Sequence, residues 1–134
     1  MIYVCENTRM TAKQMFLYYI QKESENGLNI YSNITKVLSY IFTESLSALR
    51  SNETDLYTVL EEMKDLYHFL RRSYPKYNVL ISEYLRIYEG FEDCLRIPNR
   101  FVEYATEKQI QCANQLFNTF DQLISSHYEL AMVT

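Results

Sequence analysis

The chain is poor in the residues that interrupt regular structure. It has two glycines and two prolines in 134 residues, against usual shares of roughly 7% and 5%. Hairpin-rich β architectures need glycine and proline at their turns, so this scarcity excludes them and predicts long helices with few connections. No membrane-spanning run is present either. The longest apolar stretch, residues 15–20, falls far short of the roughly 20 residues a span requires, and the N-terminus lacks the basic start and apolar run of a secretory signal. No membrane partner is expected.

A surplus of positive charge is also missing. Thirteen Lys and Arg face seventeen Asp and Glu, giving a formal net charge of −4. Nucleic-acid binders usually carry a basic patch or stripe, and residues 98–134 offer only Arg100 and Lys108 as permanent cations. Nucleic acid is therefore an unfavoured partner. The best local argument for it is the trio Arg71, Arg72 and Lys76, which reads more simply as a complement to a helix C-terminus.

Cysteines are few and widely spaced: Cys5, Cys94 and Cys112. The odd number excludes a complete disulfide framework, and no CxxC pair suggests zinc or redox chemistry. They read as reduced thiols, which places the protein in the cytoplasm. Catalytic motifs are absent as well. Two isolated glycines cannot build a phosphate loop, and there is no GxSxG elbow. No cofactor or metal is expected, and the chain reads as a non-enzymatic protein.

What remains is a helical pattern over a single domain, residues 1–134. Residues 1–10 are compatible with a short strand, a helical turn or a frayed end. A first helix starts at Thr11, where Gln14 completes a capping box, and stops near Gly27. Its centre, MFLYYI, is apolar nearly all round. A second helix over residues 32–50 has an apolar arc of about half its circumference, wider than the roughly 100° stripe of a surface helix. It is expected to be the central and most buried helix. A third begins after Asn52 and ends before Tyr74, with Leu56, Val59, Leu60, Met63, Leu66, Tyr67 and Leu70 in one stripe. Pro75 suits the first turn of a fourth, with Gly90 as its stop and residues 91–97 as a connector. A long C-terminal helix spans residues 98–131, with a capping-box spacing at Thr106 and Gln109 that offers a break. The fold class is an all-α antiparallel bundle of about five helices.

Two histidines bear on chemistry. His68 sits opposite the apolar stripe of its helix, three residues after Asp65, and reads as a surface residue. A di-iron bundle needs two carboxylate-x-x-His units, and only this one is present. His127 lies among Leu123, Ile124 and Tyr128 on the apolar side of the last helix. It is read as a buried polar group that serves stability, and its functional alternative is a helical-bundle enzyme or cofactor carrier with a site around it. Glu61 and Glu62 read as solvated carboxylates. The repeat Tyr57-Thr-Val-Leu60 and Tyr67-His-Phe-Leu70 mimics a tyrosine signalling motif, but it occupies a helical core stripe and reads as packing.

Tyrosine is the compositional anomaly: thirteen, with seven Phe and no Trp. Its ring and polar tip suit protein interfaces. The sequence therefore points to a protein–protein interaction module: a small helical adaptor, inhibitor, chaperone or immunity-type regulator. Candidate interface residues are Tyr40, Tyr57, Val102 and Ile110. A homodimer is expected, because an unbroken last helix would overhang the shorter ones and leave apolar surface uncovered.

Overall fold

In this computed structural model the described residues are 3–5, 8–25, 30–95 and 105–133, with side chains described in all of them but 4, 5, 94, 95 and 123–133. Among these residues five helices follow a short hairpin. Strands β1 (Tyr3–Cys5) and β2 (Thr8–Met10) pair antiparallel, with Tyr3 opposite Met10 and Cys5 opposite Thr8. The helices are α1 (Ala12–Ser24), α2 (Ile30–Arg50), α3 (Leu56–Ser73), α4 (Asn78–Leu95) and α5 (Glu107–Val133). Among the described residues no helix is long and apolar enough to cross a membrane.

Helix starts follow the capping chemistry written in the sequence. Thr11 caps α1: the Gln14 amide donates to Thr11 Oγ1 at 3.1 Å, and the Thr11 amide donates to Gln14 Oε1 at 3.0 Å. The same reciprocal pair opens α5, where Gln109 N donates to Thr106 Oγ1 at 3.2 Å and Thr106 N to Gln109 Oε1 at 2.9 Å. Each box satisfies two backbone donors that have no partner within the helix. The last segment is therefore helical from Glu107 rather than continuous from residue 98. At 27 residues α5 is about 40 Å long, and the overhang expected from an unbroken helix shrinks accordingly.

Three boundaries differ from the sequence expectation. Asn52 does not open α3; it closes α2. With φ of 58° it takes the left-handed conformation that Asn tolerates better than most residues. Glu53 N bonds Ala48 O at 2.9 Å and Asn52 N bonds Leu49 O at 3.3 Å, the paired bonds of a Schellman ending. Asp55 is then the N-cap of α3, accepting from Thr58 N at 2.7 Å. Pro75 lies in the turn before α4, closed by Tyr77 N to Tyr74 O at 3.1 Å. Gly90 does not stop α4, which continues to Leu95. A Cβ at Gly90 would stand 3.2 Å from Leu116 Cδ2, so its missing side chain is a notch that admits Leu116 of α5. The calls on Gly27, residues 96–104 and the C-terminal residue lie outside the described residues.

The main helix contacts form a closed circuit: α1 meets α2, α2 meets α5, α5 meets α4, α4 meets α3 and α3 meets α1. Named contacts give the directions. Tyr19 meets Tyr40 and Glu23 meets Lys36, so α1 and α2 are antiparallel. Ser39 bonds Asp121 and Phe42 stacks on Phe117, so α2 and α5 are antiparallel. Tyr31 meets Tyr77 and Phe42 meets Tyr84, so α2 and α4 run the same way. The α3–α4 pair is antiparallel across its short turn. Among the neighbouring pairs of that circuit, α1 and α3 run parallel, with Ala12 at Glu62 and Phe16 at Phe69 and Tyr74.

Helix α2 is the most buried, as its wide arc predicted. Ile34, Val37, Leu38, Ile41, Phe42, Ser45, Leu46, Ala48 and Leu49 are all inside. Tyr67 of the α3 stripe is half-buried, and its other six residues are buried. A ring cluster joins α2, α4 and α5: Phe42 to Phe117 at 4.3 Å, Phe42 to Phe120 at 5.2 Å, Phe42 to Tyr84 at 5.8 Å and Phe91 to Phe117 at 5.7 Å.

Candidate interaction surface

Much of the tyrosine excess is internal. Tyr3, Tyr31, Tyr77 and Tyr84 are buried, and among the described tyrosines only Tyr40 is exposed. Two of these phenols are tied to polar partners, as burial requires. Tyr3 OH and Ser45 Oγ lie 2.7 Å apart, and Tyr84 OH donates to Met63 O at 2.9 Å. Burial pushes both phenols well above the ordinary tyrosine range, so both stay neutral and serve as fixed hydrogen-bonding groups. Tyr77 stands just before α4 and three residues before the buried Leu80, a helical spacing that puts both on the core side.

Tyr40 lies 41% exposed on α2 and borders a groove of about 430 Å³ between α1 and α2. Tyr19, Glu23, Lys36, Val37, Ser39 and Thr43 complete the lining. The Tyr19 and Tyr40 rings meet at 4.9 Å with their planes tilted by 56°. Tyr18 stands edge-on to Tyr19 at 5.1 Å and carries Lys22 Nζ 4.7 Å above its ring. At the rim Lys36 Nζ bonds Glu23 Oε2 at 3.0 Å. Among the described lining residues the one cation and the one carboxylate therefore neutralise each other.

The remaining expected interface residues fall elsewhere. Tyr57 is half-buried on α3. Ile110 is 4% exposed and packs in the core. Val102 lies outside the described residues, and so does the side chain of His127, although its backbone belongs to α5. Neither Tyr57 nor Ile110 lines the groove at Tyr40.

A second cleft, about 440 Å³, follows the parallel α1–α3 seam and is lined by Thr11, Lys13, Glu62, Asp65, His68 and Arg72. Residues 62, 65, 68 and 72 recur at helical spacing on one side of α3. His68 is exposed, as expected. Glu62 is not the solvated carboxylate that the sequence suggested. It is half-buried and accepts the Ala12 N–H, closing a free donor at the start of α1. Burial pushes its carboxyl above the usual range, and the Ala12 bond partly opposes this. Lys13 Nζ lies 5.2 Å from the Phe69 ring centroid. Among the described residues no group of three or more His, Cys, Asp or Glu side chains is arranged to hold a metal ion.

Cys112 corrects the reading of three reduced thiols: it is half-buried and disulfide-bonded. Spacing along the chain gave no sign of this, because cysteines brought together by helix packing need no sequence motif.

Comparison of the chain with family models, with curated proteins and with solved structures gives no match.

Proposed function

We propose that the chain is a non-enzymatic protein–protein interaction module whose contact face is the aromatic α1–α2 groove, and that this face takes a second copy of the chain. The observation that carries the reading is the exposed Tyr40 beside Tyr19, in a groove whose charges cancel. Two copies of a protein of net charge −4 repel each other over most of their surface. A locally neutral face is where that repulsion is least, and a symmetric dimer joins one patch to itself. Tyrosine supplies large area with few rotatable bonds and a tip that keeps its hydrogen bonds at a wet rim.

The other readings have less behind them. The nucleic-acid reading needs Arg71, Arg72 and Lys76 as a free basic patch, but Arg72 lines the cleft with two carboxylates and Lys76 lies over the Tyr77 ring at 5.2 Å. The enzyme or cofactor-carrier reading centres on His127, which has no described side-chain geometry to stand on. The cytoplasmic placement was argued from reduced cysteines, and the Cys112 disulfide removes that argument.

Sedimentation equilibrium under reducing and non-reducing conditions tests the proposal. Wild type at tens of micromolar is expected near twice the chain mass of 16.1 kDa, and Tyr40→Glu near the chain mass itself. A monomeric wild type overturns the dimer. A Tyr40→Glu protein that still dimerises overturns the choice of face.

A further inference from the structure

The cleft between α1 and α3 holds opposite charges that the fold leaves unpaired. Its described lining is polar throughout: Thr11, Lys13, Glu62, Asp65, His68 and Arg72. Asp65, His68 and Arg72 follow one another at intervals of three and four residues, so they form a row along one side of α3. Arg72 stands in the last turn of that helix, and Asp65 lies two turns before it. Lys13 joins the Arg72 end, since its Nζ sits 5.2 Å from the Phe69 ring centroid. Glu62 is already engaged by the Ala12 N–H. Among the described residues, Asp65, His68 and Arg72 make no ion pair and no side-chain hydrogen bond. Seven positions of helix place Asp65 and Arg72 about 10 Å apart along the axis. The cleft therefore has an acidic pole and a basic pole, with His68 between them.

We propose that the α1–α3 cleft binds a short zwitterionic ligand of about tripeptide length, with its ammonium at Asp65 and its carboxylate at Arg72. Three extended residues span at most about 10 Å, which matches the separation of the poles. Asp65 accepts from the ammonium. The planar guanidinium of Arg72 can donate a parallel pair of bonds to a carboxylate, and Lys13 adds positive charge at the same end. His68 stands midway, where its ring nitrogens can donate to and accept from the ligand's amide groups. The cleft volume of about 440 Å³ falls within the range of small-molecule sites. A simple anion would answer Arg72 and face Asp65; a simple cation would answer Asp65 and face Arg72. Only a ligand with both charges satisfies both poles. This site lies on the α3 side of α1, apart from the α1–α2 groove, so it stands whether or not two copies of the chain associate.

Titration of the full chain at low salt, followed by backbone amide shifts in nuclear magnetic resonance spectra, tests the site. The probes are triglycine, N-acetyl-triglycine, triglycine amide, diglycine and inorganic phosphate. Triglycine is expected to saturate with a roughly millimolar dissociation constant and to move the signals of Thr11, Lys13, Asp65, His68 and Arg72. Each capped peptide loses one charge-assisted contact and is expected to bind at least about tenfold more weakly. Diglycine is too short to reach both poles and should be weakened likewise. Asp65→Asn should lose the discrimination against the acetyl cap, and Arg72→Gln most of the discrimination against the amide cap. Both side chains are exposed, so both variants should fold as wild type does. Absence of a saturable shift up to roughly tens of millimolar triglycine, or shifts centred away from the cleft, overturns the site. Capped peptides that bind as well as the free one, or phosphate that binds as tightly as triglycine, overturn the two-pole ligand.

Discussion

Replacing Phe42 by alanine removes the ring that holds three helices together. Phe42 is 2% exposed. Its ring lies parallel to Phe117 at 4.3 Å, perpendicular to Phe120 at 5.2 Å and near-parallel to Tyr84 at 5.8 Å. A buried Phe→Ala change costs about 3–5 kcal/mol through lost transfer energy and the cavity left behind. Each aromatic pair adds about 0.5–1.5 kcal/mol beyond burial, which places this site in the upper half of that range, near 4–5 kcal/mol. A domain of this size is stable by only about 5–15 kcal/mol in total, so the variant should melt roughly 15 °C lower. The assay is urea unfolding followed by far-ultraviolet dichroism, at concentrations that keep the chain monomeric. Tyr40→Ala is the internal control: it lies two residues away on the same helix, 41% exposed, and should change stability by no more than about 0.5 kcal/mol. A Phe42→Ala cost below about 1.5 kcal/mol, or one equal to that of Tyr40→Ala, would refute the account of the core.

Two further outcomes follow from particular contacts. Glu62 titrates above its ordinary value in the folded chain, so the native state holds this proton to higher pH than the unfolded state does. Its contribution to stability is full below the unfolded value and is lost as pH rises through the raised one. Glu62→Gln keeps an oxygen for the Ala12 N–H and should flatten the pH–stability curve across that window. A wild-type-minus-variant difference that rises with pH there would contradict the burial argument. Gly90→Ala should nearly break even, since a helical Gly→Ala change gains about 0.5–1 kcal/mol while the new Cβ presses on Leu116 at 3.2 Å. Gly90→Leu should lose about 1–3 kcal/mol by overpacking, and thermal melts showing it equal to wild type would remove the notch.

The parts of the fold that sequence reveals are those set by neighbours along the chain. Thr11 with Gln14 and Thr106 with Gln109 are local signals, because each cap is completed three residues away. The α3 stripe is another, because a helix repeats its buried face every three to four residues. Asn52 and Gly90 were read correctly as special residues but given the wrong tasks. Whether Gly90 ends a helix or admits a neighbour depends on Leu116, 26 positions away, and nothing near Gly90 encodes that. Tyr3 and the Cys112 disulfide were missed for the same reason: their partners come from other elements. Of the groove, only Tyr40 was legible, because it stood off its helix's apolar arc. Tyr19 was hidden inside an apolar run that offered no way to choose a face.

The parallel seam in the circuit of helices has a topological origin. Directions that alternate around a ring return to their start only if the number of helices is even. Five cannot alternate throughout, so one pair must run the same way, and α1 with α3 is that pair. Remove α1 in thought, and α2, α5, α4 and α3 alternate without conflict around a four-membered ring. Helix α1 is thus a wedge set into an otherwise self-consistent frame. It sits where two helix dipoles lie side by side instead of opposed, and the Glu62 carboxylate at its positive end answers part of that mismatch. The wedge also carries Tyr19 and Glu23, so one wall of the neutral groove is built on the helix that the frame holds least symmetrically.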